Sequence, residues 1–207
     1  MPLVRKPAQA AAEHPKASFA EILTGLAAAD PEGRWRAARA AAELPDAAAA
    51  LAAALPRETD SRVREAMFTS LARIGTRDSI AGMLPMLRSD DAALRTGALD
   101  ALRSSVIATH ELLPLLLNDP DIDVRILSCE LARGLPSDAA SRSLCALLDR
   151  EVEINVCAAA IEVLAEVGNH TALPALARCA QRFPQAPFLA FAIKLATDRI
   201  TAAGSRD

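Results

Sequence analysis

Aromatic side chains are scarce in this chain, making up 3% of 207 residues, with one Trp and no Tyr. A pocket walled by stacked rings, or a platform for unpaired bases, has little material to draw on. Basic excess is missing as well. Lys and Arg number 23 against 26 Asp and Glu, for a formal charge of −3. That balance offers no bulk attraction to a phosphate backbone and disfavours nucleic acid as a partner. The longest apolar run worth testing, AAAALAAAL at 47–55, is half the length of a membrane span, so no membrane partner is expected. The N-terminal MPLVRKPAQAAAEHPKA has basic residues but no apolar stretch to follow them. Residues 1–17 therefore read as a flexible tail, and a cytoplasmic location is expected.

Motifs for chemistry are missing too. Cys129, Cys145, Cys157 and Cys179 are separated by 16, 12 and 22 residues and form no CxxC. This spacing suits neither a zinc knuckle nor a redox motif, and buried unpaired thiols are expected. HELLP at 110–114 opens like a zinc-protease helix, but Pro114 stands where the second His is needed. His110 and His170 fall between helices, where loop and capping roles are the expectation. Phosphate loops, GxGxxG and GxSxG are absent. No catalytic residue, metal or cofactor is assigned, and a non-enzymatic role follows.

What the chain has in abundance is internal repetition. Arg34, Arg64, Arg95, Arg125 and Cys157 align in one column with spacings of 30, 31, 30 and 32, the range of stacked helical repeats. Four residues earlier stand Asp30, Asp60, Asp91, Asp121 and Glu153; one residue earlier stand Gly33, Val63, Leu94, Val124 and Val156. In four of five copies an aliphatic residue and then Gly or Pro follow ten and eleven residues after the anchor, as in Ile74–Gly75 and Leu135–Pro136. Each unit therefore starts with a helix of about eleven to fifteen residues. An acid near its start can accept hydrogen bonds from unpaired first-turn amides and complements the helix dipole.

Columns three, four and seven past the anchor are mostly apolar, forming a stripe at helical period, whereas the fifth is polar and faces water. Shorter apolar segments, such as SIAGMLPMLRS and TALPALARCA, supply a second helix per unit. Pro114 and Pro174 suit a first helical turn, while Pro85 is expected to delay or kink its helix. Ser18-x-x-Glu21 is a capping box for an N-terminal helix, and APFLAFAIKLATDRI is a closing amphipathic one. The resulting domain spans 18–200, with repeats near 30–58, 59–89, 90–118, 119–151 and 152–182. A C-terminal cap helix at 187–200 and a flexible tail at 201–207 complete it.

Asp-x-x-(Val/Leu)-Arg, followed by a helix of small residues and a Gly or Pro stop, resembles the HEAT-repeat superfamily over roughly residues 28–182. It is similar in particular to the short bacterial phycobilisome-lyase-like repeats. The resemblance implies an all-α, right-handed α-solenoid of about five helix pairs with N- and C-terminal capping helices. It also implies a structural ladder in which Asp and Arg of adjacent repeats pair: Asp30, Asp60, Asp91, Asp121 and Glu153 with Arg34, Arg64, Arg95 and Arg125. Cys157 then ends the ladder as a small apolar substitute, with no cation evident to activate it.

Curved helical stacks present long faces to partners, so the expected function is a protein-interaction scaffold for an unidentified protein. Fitting assemblies are bacterial signalling or enzyme-maturation complexes. Trp35 is the most suggestive contact, with core packing under the Ser18–Ala29 helix as the favoured alternative. Arg73, Arg103 and Arg133 could form a basic ridge on the first helices, against the default of a solvated face. Arg88, Arg142, Arg178 and Arg182 are candidate contacts on the second helices. The resemblance also raises a role beside a bilin lyase, and nucleic-acid binding is a minor alternative.

Overall fold

Helix formation in this chain starts at acids and ends at breakers. The computed structural model describes residues 17–105 and 107–204. The tail expected at 1–17 lies outside these residues except for Ala17. Helix α1 (Phe19–Leu26) opens on a complete capping box between Ser18 and Glu21. The five repeat units follow as α2 (Pro31–Ala41) with α3 (Ala48–Ala54), α4 (Ser61–Ile74) with α5 (Arg77–Met83), α6 (Ala92–Arg103) with α7 (Leu113–Leu116), α8 (Ile122–Leu131) with α9 (Ser137–Arg150), and α10 (Ile154–Val167) with α11 (Leu173–Arg182). Helix α12 (Pro187–Gly204) closes the stack. Every described element is helical or a helical turn, and the architecture is an α-solenoid.

The four Asp residues of the repeat are N-caps. Asp30 accepts from the amide of Gly33 at 2.7 Å, Asp60 from Arg62 and Val63, Asp91 from Ala93, and Asp121 from Asp123 and Val124. Glu153 occupies the same position without a side-chain cap bond. At the far end of α4, Gly75 adopts φ +62°, the left-handed conformation that lets its amide bond back to Leu71 without a Cβ penalty.

Prolines shape the second helices. Pro114 and Pro174 sit in the first turns of α7 and α11. Pro85 does not delay α5, which starts at Arg77; the α-helix ends at Met83 and continues as a 3-10 segment, Leu84–Arg88. Lacking an amide proton, Pro85 cannot extend the α-helical ladder. Helix α12 runs through Gly204, four residues past the expected end at 200. Its last turns are rich in Ala, a strong helix former, and the Thr201 hydroxyl donates to the Thr197 carbonyl.

First helices α2, α4, α6, α8 and α10 stack in sequence, with α1 against α2 and α12 against α10. One continuous apolar spine runs between the two layers from Ile22 to Ile200. The stripe read from the sequence supplies it: Ala38, Met67, Leu71, Ala98, Leu102, Cys129, Ala160 and Leu164 are completely buried.

Candidate interaction surface

With the four Asp carboxylates occupied by their own helix amides, the anchor arginines meet a different set of partners. Each donates to the carbonyl six residues before it. Arg34 reaches Ala28, Arg64 reaches Glu58, Arg95 reaches Ser89 and Arg125 reaches Asp119, at 2.6 to 3.0 Å. The guanidinium thus fastens the turn that leads into its own helix.

Its second face points to the next unit. Arg34 forms a two-point pair with Glu58, Nε to Oε2 at 2.7 Å and a second nitrogen to Oε1 at 3.0 Å. Arg125 repeats this with Glu151 at 2.8 and 3.2 Å. Each glutamate also accepts two amides of its own turn, Thr59 and Asp60 for Glu58, Val152 and Glu153 for Glu151. The expected Asp-to-Arg ladder therefore needs correction, since among the described residues an anchor arginine meets an Asp of that column once, in Arg64–Asp91 at 2.8 Å. That rung forms where Ser89 stands in place of a glutamate. Arg95 makes no ion pair among the described residues, because Asp119 ahead of it is taken by Arg88.

The column that sequence reasoning missed reads Ala28, Glu58, Ser89, Asp119 and Glu151, two residues before each helix cap. Its carbonyls recur as acceptors in every unit, but its side chains vary. Only the acid in three of five copies marks it.

Arg34 holds the Glu58 carboxyl below the usual carboxylate range. Burial pushes Glu151 upward, but Arg125 and the turn amides outweigh it and the net displacement is downward. A carboxylate with a depressed folded value contributes stability that is complete above its unfolded value and is lost as pH falls through the folded one. Stability is thus expected to be flat from about pH 8 to 5 and to drop below about pH 4. Urea midpoints across this range check it, and Glu58→Gln with Glu151→Gln together should flatten the acid limb.

Cys157 takes the anchor place in the fifth unit with its sulfur 3.9 Å from the Glu151 carbonyl. Arg182, at the end of α11, fills the vacated role. It donates to Glu151 O at 3.1 Å, Asp149 O at 2.8 Å and Leu148 O at 2.5 Å. Arg182 therefore caps the last carbonyls of α9 while remaining exposed. The absence of a cation beside Cys157 is corrected by the same residue.

The basic ridge expected from Arg73, Arg103 and Arg133 is neutralised by acids of neighbouring first helices. Arg73 pairs with Glu43 at 2.5 Å, and Arg103 pairs with Glu130 at 2.6 Å. Arg133 meets Glu130 at 2.8 Å and also Glu162 and Glu166. Acids in the polar fifth column lie within reach of arginines three to four residues further along. The product is an alternating belt of charge. On the second-helix layer Arg88 pairs with Asp119, and Arg178 forms two bonds of 2.9 Å to Asp149. Arg142 is exposed and makes no hydrogen bond or ion pair among the described residues.

Trp35 is half-buried, its inner edge against the core. Its ring carries two guanidinium groups, Arg62 at 4.2 Å and Arg39 at 4.9 Å from the centroid. It borders the gap between α2 and α4, a groove of about 260 Å³ that Glu65, Thr69 and Arg73 also line. A larger groove of about 510 Å³ lies on the other side of α4, and Glu65 and Thr69 line this one too. Phe68 forms part of its wall with Gly97 of α6 directly beneath the ring. A Cβ at Gly97 would stand 2.5 Å from the Phe68 ring. Glycine is required there by close approach.

Stacked helix pairs, interlocked by arginines and fronted by open grooves, define an α-solenoid. The family model for HEAT repeats matches residues 19–103 and 109–187, and the chain belongs to the HEAT-repeat family. Among solved structures it is similar to the archaeal HEAT-like repeats protein from Thermococcus onnurineus NA1, at 18% identity, 87% of this chain, 86% of that one and a TM-score of 0.47. An engineered protein matches at 18% identity over 90% of this chain and all of its own, with a TM-score of 0.44. A designed armadillo repeat protein matches at 16% identity over 88% of this chain and 100% of its own, with a TM-score of 0.37. No curated protein matches the chain. Among the described residues no helix is long and apolar enough to cross a membrane, and no cluster of three metal-ligating side chains occurs.

Proposed function

We propose that this chain is a non-catalytic scaffold that docks a protein partner on its first-helix layer, with the two grooves flanking α4 as the contact. The observation that carries this reading is Trp35, a half-exposed ring held between Arg39 and Arg62 at the edge of a groove. Trp and Arg are the residues most enriched among energetic anchors of interfaces. Neighbouring salt bridges hold Arg62 and Arg73 in place, so little side-chain freedom is lost on docking. A cytoplasmic bacterial signalling or maturation complex is the setting this reading favours.

Photo-crosslinkers placed at Thr69 and, separately, at Arg142 test the choice of face in lysate of the source cells. A single protein crosslinked from position 69, and lost with at least a ten-fold drop in affinity on Trp35→Ala, is expected. Capture from position 142 with no response to Trp35→Ala would move the interface to the second-helix layer and overturn the proposal. The phycobilisome-lyase-like alternative calls for a tetrapyrrole in one of these grooves. Bilin absorption that shifts on mixing, and returns on Phe68→Ala, would favour that reading instead.

A further inference from the structure

Exposed apolar side chains gather at the two ends of the stack. Of the eight large ones among the described residues, Phe19 and Leu23 lie on α1, and Phe188, Phe191 and Leu195 lie on α12. Helix α12 is apolar on two sides. Leu189, Ile193, Ala196 and Ile200 are buried, whereas Phe188, Phe191 and Leu195, at helical spacing, form an outward ridge on which Phe191 is 70% exposed. A helix that is apolar on every side is normally covered all round, and the end of a solenoid normally carries a polar outer face.

The opposite end offers a seat of matching character. Second helices pack side by side along the stack, α3 on α5 and α9 on α11. Helix α1 instead leans on α2 and meets α3 at its margin, which leaves the flank of α3 away from α5 open. This opening is a groove of about 490 Å³ lined by Leu23, Leu26, Ala27, Ala50, Ala53 and Ala54. A helix laid there continues the contact by which second helices already pack. Among the described helices, α12 is the one that presents an exposed apolar ridge to fill it. The charges agree in sign. On α1, α3 and the turns flanking α3, Glu58 is paired with Arg34, and Glu21 and Asp46 outnumber Arg57. On α12, Lys194 and Arg199 outnumber Asp198.

We propose that this chain assembles head to tail, with the α12 ridge of one copy seated in the α1–α3 groove of the next. Docking takes the rings of Phe188 and Phe191 out of water against leucine and alanine side chains. Lys194 and Arg199 arrive at an end with an acidic excess. Ridge and groove lie at opposite ends of one molecule, so the contact is heterologous. Each added copy leaves a free ridge and a free groove, and the product is an open row rather than a closed pair. The grooves flanking α4 take no part in this contact.

Sedimentation velocity on the full-length chain from about 1 to 200 µM, the span suited to a small interface, tests this. The mean mass is expected to climb past that of a dimer as concentration rises. Phe191→Lys on the ridge and Ala53→Lys in the groove alter exposed positions. Each should weaken assembly at least 10-fold and leave the circular dichroism unchanged. Mixed in equal amounts, the two variants retain one intact ridge and one intact groove between them and should form dimers that grow no further. Phe188→Lys and Leu23→Lys, at exposed positions of the same ridge and groove, repeat the experiment where a variant folds poorly. A wild type that stops at dimers and keeps them in Ala53→Lys would show α12 pairing with itself and overturn the proposal. A wild type that stays monomeric at the highest concentration overturns it too, as does a mixture of folded variants that forms no dimer.

Discussion

Glu151→Ala is expected to lower the free energy of unfolding by about 3 kcal/mol or more, the effect of removing one partner from a buried pair. The Glu151 side chain is 5% exposed and Arg125 opposite is 13% exposed. Deleting the carboxylate leaves the guanidinium with the carbonyls of Asp119 and Pro120, and leaves the amides of Val152 and Glu153 without their acceptor. Both losses occur at one turn, between α9 and α10. A control isolates burial from charge: Arg36→Ala breaks an ion pair with Glu32 in which the side chains are 71% and 43% exposed. That change should fall within about 0.5 kcal/mol of wild type. Urea denaturation of the two variants measures the difference. Equal effects would show that the inter-repeat clamps hold no more than surface pairs.

The clamp also shows where sequence reading succeeds and where it stops. A repeat of about thirty residues in the acid, aliphatic and Arg columns, complete in three units and altered at Gly33 in the first and at Glu153 and Cys157 in the fifth, marked the first helices, because helix capping and amphipathic periodicity act over a few neighbours and leave a local trace. Partner choice for the arginines left none. An anchor arginine can reach an acid at the next cap or two residues before it, and which one it meets depends on how adjacent units stack. Where Glu58 and Glu151 supply a longer side chain at the turn, they win; where Ser89 stands there, Asp91 does. The basic ridge is neutralised in part by acids of neighbouring units about thirty residues away, Glu43, Glu130 for Arg103, Glu162 and Glu166, which leave no local trace, and in part by Asp100 and Glu130 three residues before Arg103 and Arg133. Trp35, expected either as a contact or packed into the core, is half-buried, with Arg39 and Arg62 over its ring.

Cys157 is the instructive departure. Arginine at that position would extend a guanidinium toward the closing helix, and residues 183–197 contain neither Asp nor Glu to receive it. A buried cation without a carboxylate is costly. A small thiol with Arg182 brought in from α11 satisfies the Glu151 carbonyl from a side open to water. The repeat pattern therefore ends where its next acid is missing.

Leu71→Ala is expected to cost about 3 kcal/mol, within the range for a fully buried leucine that leaves a cavity. Leu71 is 0% exposed on α4, in the column that holds Ala41, Leu102, Ala132 and Leu164. Its neighbours cannot close the void without moving α2 or α6. The consequence for cooperativity is larger than the number suggests. In a stack where each unit meets only adjacent ones, stability is the sum of unit and interface contributions, and a weakened interface lets the two sides unfold separately. Trp35 is the only tryptophan and lies in the first unit, so its fluorescence reports the N-terminal side, whereas far-ultraviolet circular dichroism reports all helices. The two probes are expected to give coincident urea transitions in the wild type and separate ones in Leu71→Ala, with Trp35 released first. Leu164→Ala empties the same column in the fifth unit, where the side chain is also 0% exposed. Its damage lies far from the first unit, so the Trp35 transition should follow that of the wild type while the helical signal begins to fall earlier. Coincident transitions in both variants would show that the stack unfolds as one body and that interfaces beyond nearest neighbours hold it.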